Sequence, residues 1–224
     1  HELISRRECA EIANRVHQLS SHWTPRSAGG FYSLGAASYL DAVRGLAPYL
    51  AASRATNALL MESFGGLYDQ VVAFLRVLLD EDVSLDLDRA APGFHVFVLR
   101  GKNRSPGNPA PRAHFDLQWR LAYPGVRPEG TLSFTLAVAT PTGGAGMALW
   151  PLRLDDRQQC VREAMSRTLE QPPQTISYSP GRMVLHDGLI LHAIGAAQTA
   201  RATGFRITLQ GHGIRLGSRW RLYW

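Results

Sequence analysis

The segment GRMVLHDGLILH, residues 181–192, has two short apolar runs on either side of an Asp-Gly pair. Asp-Gly is typical of a two-residue β-turn, because both central positions of that turn require positive φ. The segment therefore predicts a β-hairpin that turns at Asp187 and Gly188. In this hairpin His186 ends the first strand and His192 lies on the second.

Further strands are predicted on both sides of this hairpin. Apolar, β-branched and aromatic residues recur in short segments bounded by Gly and Pro, which is the pattern of an antiparallel sandwich or barrel. Between the first two of these strands lies a polar connection, residues 101–111, which is either a lid over a site or a plain loop. The predicted strands are residues 94–99, 113–119, 131–140, 147–150, 176–178, 183–186, 189–194 and 205–209.

The first third of the chain has helical periodicity instead. Ser5 and Glu8 match a capping box at the start of a first helix. A second helix is expected within residues 36–52. Asn57 is the predicted N-cap of a third helix, which carries one apolar stripe. A later helix is expected at residues 155–170.

Helices followed by short strands indicate the α+β fold class. A chain of 224 residues is long enough for one domain with a substantial hydrophobic core. We therefore predict a single domain, in which residues 1–90 form a helical buttress and residues 91–224 form the β core.

A candidate metal site begins at His114-Phe115-Asp116. Residues i and i+2 of a strand point to the same face, so the His114 imidazole and the Asp116 carboxylate can converge. A second imidazole from far along the chain, such as that of His192, would complete a two-histidine, one-carboxylate set. Such a set holds Fe(II) and leaves coordination positions open. The alternatives are a hydrogen-bonded pair on a surface strand and a core histidine at position 192.

A candidate anion site follows fourteen positions after His192 (206 − 192). In FRITL, residues 205–209, apolar side chains alternate with Arg206 and Thr208, which share the other face of the strand. An arginine that points into a barrel needs an anionic partner, and guanidinium binds a carboxylate through two hydrogen bonds. The partner is either a bound carboxylate or an acidic side chain of the protein.

The order of these residues resembles that of the 2-oxoglutarate and iron(II)-dependent oxygenase superfamily. Members carry His-x-Asp, a distal histidine, and then Arg-x-Ser or Arg-x-Thr a short distance further on. The matching residues are His114-x-Asp116, His192 and Arg206-x-Thr208.

The resemblance extends over residues 93–212. Residues 132–138, LSFTLAV, and 140–149, TPTGGAGMAL, look like the middle strands of that fold with their Gly-Gly link. The N-terminal helices are similar in kind to those of prolyl-hydroxylase-like members. The resemblance implies a double-stranded β-helix, a jelly-roll or cupin-like barrel with the N-terminal helices packed outside.

The resemblance also implies an activity. His114, Asp116 and His192 would hold Fe(II) and act as the catalytic set, and Arg206 and Thr208 would bind the far carboxylate of 2-oxoglutarate, the cosubstrate. The chain would then be a 2-oxoglutarate-dependent dioxygenase that consumes molecular oxygen and releases succinate and CO2. The expected reaction is hydroxylation of an unactivated C–H bond in a small-molecule or amino-acid-like substrate.

Two other functions remain open from the sequence. The first is an oxygenase that acts on a peptide or protein side chain, which an open groove would favour over a closed pocket. The second is a barrel protein that binds a metal or a small acid without oxidising anything. Release of succinate that depends on oxygen separates the second alternative from an oxygenase.

The predicted hairpin also bears on the choice of the distal histidine. With a two-residue turn, His186 pairs with Leu189 and His192 pairs with Met183, so the two histidines face opposite sides of the hairpin. The family pattern favours His192 as the ligand. Structural or surface roles are expected for the remaining histidines, His1, His17, His22, His95, His186 and His212. The alternative for His95 is a place in the pocket wall.

Composition limits the partners and the cellular setting. Cys9 and Cys160 fit no disulfide framework or zinc motif, which favours reduced thiols and a cytoplasmic location. No apolar run is long enough for a membrane span.

The net charge of +6 comes from scattered arginines, which predicts a solvated surface. Arginines alternate with aromatic residues in 215–224, as in some nucleic-acid sites, but a terminal strand edge is favoured and no nucleic acid is expected.

Overall fold

The computed structural model describes residues 2–27, 30–100, 113–142, 145–154, 161–195 and 203–224. In these ranges the chain has a mixed α+β fold with one sheet of eight strands and one of three. The predicted loop at 101–111, the Gly-Gly link and Cys160 lie outside the described residues. Cys9 is buried with a free thiol. Within the described ranges, no helix has the length and apolar character needed to cross a membrane.

The predicted capping box is present at the first helix. The Ser5 hydroxyl accepts a hydrogen bond from the Glu8 N–H at 3.2 Å, and the Glu8 carboxylate accepts one from the Ser5 N–H at 2.8 Å. The helices are α1 (Arg6–Gln18), α2 (Ser38–Asp41), α3 (Leu46–Leu79), α4 (Trp119–Ala122) and α5 (Val161–Leu169), with 3-10 turns at Ser20–His22 and Ala42–Arg44.

The predicted second and third helices are wrong in their bounds. Gly45 has φ +121 and separates a short 3-10 turn from α3, which begins at Leu46. Asn57 lies inside α3 instead of capping it. Its buried side chain donates to the carbonyls of Leu87 and Arg89 and accepts from the N–H of Ala91. Asn57 therefore links α3 to residues 87–91, and it is not the N-cap that its residue type suggested.

The large sheet has the strand order β1-β2-β4-β10-β11-β3, with β5 paired to β10 and β8 paired to β5. The small sheet has the order β7-β6-β9. Three strands lie in the first 90 residues, where the sequence predicted only helices. The strands are β1 (Thr24–Ser27), β2 (Phe31–Leu34), β3 (Asp82–Leu85), β4 (Gly93–Arg100), β5 (Gly130–Ala139), β6 (Gly146–Arg153), β7 (Gln174–Ser177), β8 (Met183–His186), β9 (Ile190–Gly195), β10 (Thr203–Leu216) and β11 (Arg219–Tyr223).

The predicted hairpin at residues 181–192 does not form. β8 pairs with β5 in the large sheet, and β9 pairs with β6 in the small sheet, so the chain crosses between sheets at the Asp-Gly pair. Gly188 does have the positive φ that the turn requires, +77. The facing rule for paired strands does not apply to strands in different sheets. The ring centres of His186 and His192 lie 4.6 Å apart, so the expectation that the two side chains face opposite sides is wrong.

The strand expected at residues 113–119 is also wrong. His114 forms an isolated bridge with His192, and the chain then enters α4 at Trp119. This bridge and a hydrogen bond from the Asp116 N–H to the Gly188 carbonyl hold the segment beside β9.

Successive side chains of β10 point in turn to two different parts of the protein interior. Ile207 and Leu209 are fully buried in the apolar core that the helices and the outer face of the large sheet share. Arg206, Thr208 and His212 point to the inner face, towards the small sheet, and they are also buried. The inner face of the large sheet is thus polar, which positions the site described next.

Candidate metal and anion site

A cavity of about 530 Å³ lies between the two sheets. The large sheet contributes polar side chains to its wall, and the small sheet contributes Met147, His192 and Ile194. The segment from His114 to Gln118 closes one side. A cavity of this size is typical of sites for small organic molecules.

The three residues of the predicted metal set converge on one side of this cavity. One ligand atom from each of His114, Asp116 and His192 lies within 4.8 Å of the other two. The Asp116 carboxylate lies 3.6 Å from Nε2 of His114 and 3.4 Å from Nε2 of His192. Two imidazoles and one carboxylate in this arrangement fit a first-row divalent metal.

Main-chain hydrogen bonds hold the three residues in place. His114 and His192 exchange N–H···O bonds of 2.8 and 3.0 Å, and the Asp116 N–H donates to the Gly188 carbonyl at 2.7 Å. The metal set thus depends on the segment between β8 and β9, in which the sequence placed a hairpin turn.

Hydrogen bonds distinguish the ring atoms of His192 and His186. Nδ1 of His192 lies 2.9 Å from the Ile190 carbonyl, which can only accept, so Nδ1 carries the hydrogen and Nε2 has a lone pair for a metal. The reverse holds for His186, whose Nδ1 accepts from the Gly188 N–H at 3.0 Å. Neutral His186 therefore carries its hydrogen on Nε2 and has no lone pair there to offer.

Asp116 is an ionised carboxylate in this environment. Burial alone raises the pKa of Asp116, but the imidazoles of His212, His192 and His114 outweigh that effect, so the pKa lies below its usual range. Gln118 Nε2 also donates to Oδ1 at 2.8 Å. The charge that a metal ligand needs is therefore favoured before any ion binds.

The predicted anion site has donors without partners. Arg206 and Thr208 are 5% and 0% exposed. Within the described part of the chain, Nε and Nη2 of Arg206 and Oγ1 of Thr208 have no hydrogen-bond partner. The guanidinium lies 5.0 Å from the ring centre of Tyr178, which lines the cavity. Unpaired buried donors are costly, so this arrangement suits a bound carboxylate.

Three histidines of the cavity wall complete the site. His95, for which the pocket wall was only the alternative role, lines it and hydrogen-bonds to the Tyr39 hydroxyl. His186 and His212, for which structural or surface roles were expected, also line it. Their imidazoles lie 3.8 and 4.0 Å from Oδ2 of Asp116. His212 follows Arg206 and Thr208 at even spacing on β10, so strand alternation was a signal that could have placed it.

The fold is shared with solved structures over nearly the whole chain. An N-substituted L-amino acid dioxygenase from Burkholderia ambifaria, in complex with alpha-KG, is 17% identical with a TM-score of 0.54; the match covers 99% of this chain and 84% of that one. HygX from Streptomyces hygroscopicus, with nickel and 2-oxoglutarate bound, is 11% identical with a TM-score of 0.53, covering 96% and 81%. SnoN, a non-heme alpha ketoglutarate dependent epimerase from nogalamycin biosynthesis, is 14% identical with a TM-score of 0.50, covering 96% and 78%.

These matches show the fold of the chain. The chain has the mixed α+β fold of these three proteins, which confirms the resemblance found in the sequence at the level of the fold. No family model matches the chain, and a search of curated proteins found no match.

Proposed function

We propose that the protein is an iron(II)- and 2-oxoglutarate-dependent oxygenase that acts on a small molecule. The observation that carries this proposal is the convergence of His114, Asp116 and His192 in a cavity beside the unpaired donors of Arg206. The shared fold supports it. In this proposal the two inner sheet faces correspond to the walls of a double-stranded β-helix within a single domain.

The metal set fits Fe(II) by its donor types. Two imidazoles and one carboxylate match a facial triad. The Ile190 carbonyl fixes the ring of His192, and Gln118 holds one oxygen of Asp116. Outer partners of this kind orient ligands and raise metal affinity.

The cosubstrate fits the anion site by charge and geometry. The far carboxylate of 2-oxoglutarate would accept hydrogen bonds from the Arg206 guanidinium and the Thr208 hydroxyl. The Tyr178 ring beside the guanidinium helps to exclude water, which strengthens a charged pair. Other dicarboxylates of similar length would compete with 2-oxoglutarate for the same donors.

When bound, iron and 2-oxoglutarate together supply oxidation of a C–H bond by molecular oxygen, with release of succinate and CO2. The protein's own part is to hold and orient the reactants. Residues 114–118 and β9 fix the metal position, and Arg206 fixes one end of the cosubstrate. The apolar side chains of Met147 and Ile194 keep water away from the opposite wall.

We propose hydroxylation as the reaction, and a small molecule as the substrate. A cavity of about 530 Å³ has the size that is typical of sites for small organic molecules, which supports a small substrate. Similar folds are found in proteins named for other outcomes, including an epimerase. The product therefore has to be identified together with succinate.

Succinate formation tests the proposal. Purified protein with Fe(II), 2-oxoglutarate and oxygen is screened against small molecules for faster succinate release, with product identification by mass spectrometry. We expect at least one compound to accelerate release, and none to do so with Asp116→Ala or without oxygen. Metal and acid binding with no oxygen-dependent succinate from any compound would favour the non-oxidative alternative.

A further inference from the structure

Gln118 presents an unused hydrogen-bond acceptor to the cavity. It lines the cavity and is 8% exposed, and its Oε1 has no partner among the described residues. The orientation of the amide follows from its neighbour. Nε2 of Gln118 donates to Oδ1 of Asp116 at 2.8 Å, which leaves Oε1 as the free atom. A buried acceptor without a donor is costly, so this atom needs a donor from a ligand or a water molecule.

His186 presents a hydrogen-bond donor on the other side of the same carboxylate. Because Gly188 donates to Nδ1, the hydrogen of the neutral ring is on Nε2. That atom lies 3.8 Å from Oδ2 of Asp116, too far for a hydrogen bond to it. The two oxygens of Asp116 are thus flanked by an acceptor, Gln118 Oε1, and by a donor, His186 Nε2.

The ligand group that fits both side chains is neutral and can donate as well as accept. A carboxylate cannot donate to Gln118. An ammonium cannot accept from His186, and a divalent metal held with one carboxylate leaves a net positive charge that repels it. A hydroxyl group offers a donor and acceptor on one atom.

We propose that Gln118 and His186 bind a hydroxyl group of the substrate beside the metal position, with Gln118 accepting its hydrogen and His186 donating to its oxygen. This rests on the proposed function, since it concerns the substrate of that site. It makes both side chains specificity-determining residues for an alcohol. It adds to the proposed function the chemical class of the substrate.

Binding of matched probes tests the inference without turnover. Cyclohexanol, methoxycyclohexane and cyclohexylammonium are titrated into protein loaded with Mn(II) and 2-oxoglutarate, and Mn(II)-induced broadening of their proton resonances gives dissociation constants. We expect cyclohexanol to bind roughly fivefold or more tightly than its methyl ether, as an unpaired buried acceptor costs that much or more. The ammonium should bind more weakly than the alcohol.

Variants separate the two contacts. Gln118→Leu should reduce the alcohol-to-ether ratio to about one, since only the alcohol can donate to Gln118. His186→Phe should weaken alcohol and ether alike and leave their ratio unchanged, because both can accept. Gln171→Leu, the same change at an exposed glutamine, should leave every constant as in the wild type.

Failure of this inference can be distinguished from failure of the proposed function. A wild-type ratio near one, or a preference for alcohol that survives in Gln118→Leu, overturns the inference and would assign Gln118 Oε1 to a water molecule. Mn(II) binding is measured first for each variant by electron paramagnetic resonance. Failure of the wild type to bind Mn(II) contradicts the metal site instead; saturation-transfer measurements on metal-free protein then decide the alcohol preference by the same ratios.

Discussion

The main chains of His114 and His192 hydrogen-bond to each other in both directions, with N···O distances of 2.8 and 3.0 Å. This reciprocal bridge joins the segment before α4 to β9 and sets the spacing of two imidazoles from distant parts of the sequence. Because the main chain fixes that spacing, the ligand set is preorganised for a metal. Its affinity should therefore respond to loss of a ligand more than to loss of a neighbouring imidazole.

The first prediction concerns the distal ligand. We expect His192→Ala to lower Mn(II) affinity more than about a hundredfold, beyond the usual effect of a ligand-orienting partner. His186→Gln should retain Mn(II) affinity within about tenfold, because His186 Nε2 carries a hydrogen and has no lone pair to offer. Calorimetry on both variants measures this, with exposed His22→Ala as the control. Strong loss in His186→Gln with normal affinity in His192→Ala would reverse the assignment.

His186 and His192 show what the local sequence cannot predict, which is the pairing of the strands that carry them. The Asp-Gly pair predicts a turn with positive φ, and Gly188 has it. Whether the flanking strands then pair with each other depends on partners far along the chain, here β5 and β6. The family pattern favoured His192 for a different reason, which does not depend on the hairpin, and that assignment stays a prediction.

The second prediction concerns the anion site. Arg206→Ala should raise the dissociation constant of 2-oxoglutarate by about tenfold to a hundredfold, as expected for loss of a charged hydrogen bond to a buried partner. Arg206→Lys should recover part of the affinity, since it keeps the charge but not the planar pair of donors. Titration of Mn(II)-loaded protein measures this, with exposed Arg162→Ala as control. An unchanged constant in Arg206→Ala would mean that another residue binds the carboxylate.

Arg206 also shows what strand alternation can predict. The sequence placed Arg206 and Thr208 on one face and three apolar residues on the other, and burial in the structure agrees. The same alternation extends to His212, for which a structural or surface role was expected. In contrast, β1, β2 and β3 are four residues long and depend on neighbours in the large sheet. Segments this short carry too little periodicity to be predicted alone.

The third prediction is loss of stability in mild acid. Burial lowers the pKa of His186 to about 4 and also lowers the pKa values of His192, His212 and His95. In the unfolded chain these groups gain protons as pH falls through about 6.5, while the folded state does not. Folding stability is therefore present above that pH and is lost between about pH 6.5 and 4.

Thermal unfolding of metal-free protein from pH 7.5 to 5 measures this loss. The unfolding temperature should fall, and His186→Gln should make the fall shallower by up to about 1.4 kcal/mol per pH unit. Exposed His22→Gln should leave the slope unchanged. The lowered pKa of Asp116 does not affect this window, because that carboxyl remains ionised in the folded protein and titrates near pH 4 in the unfolded chain. A flat profile would contradict the buried neutral state of these histidines.

The fourth prediction concerns Asn57, which the sequence suggested as a cap. Because its side chain bonds three main-chain groups of residues 87–91, Asn57→Ala should lower the free energy of unfolding by about 3 kcal/mol, against about 1 for a lost cap. Urea unfolding measures the difference. Asn14→Ala on the exposed face of α1 is the matched control. A loss near 1 kcal/mol would mean that these bonds contribute little more than a cap.

The last prediction links Gly188, which lies between β8 and β9, to the metal site. Gly188 has φ +77, and a Cβ there would lie 3.2 Å from Asp116 Cβ and from Ser133 Oγ. Gly188→Ala therefore combines backbone strain, which costs about 1–2 kcal/mol, with a steric contact that displaces the metal carboxylate. Gly217→Ala is the matched control, because Gly217 also has positive φ, +62, but no atom within 4 Å of the added Cβ.

Both variants should lose a similar 1–2 kcal/mol of unfolding free energy from strain. Only Gly188→Ala should also lower Mn(II) affinity, by about tenfold, as is usual when the support of a ligand is disturbed. Urea unfolding and calorimetry on the two proteins separate the effects. Equal Mn(II) affinity in both variants would show that Asp116 tolerates the contact with the added Cβ and still binds the metal.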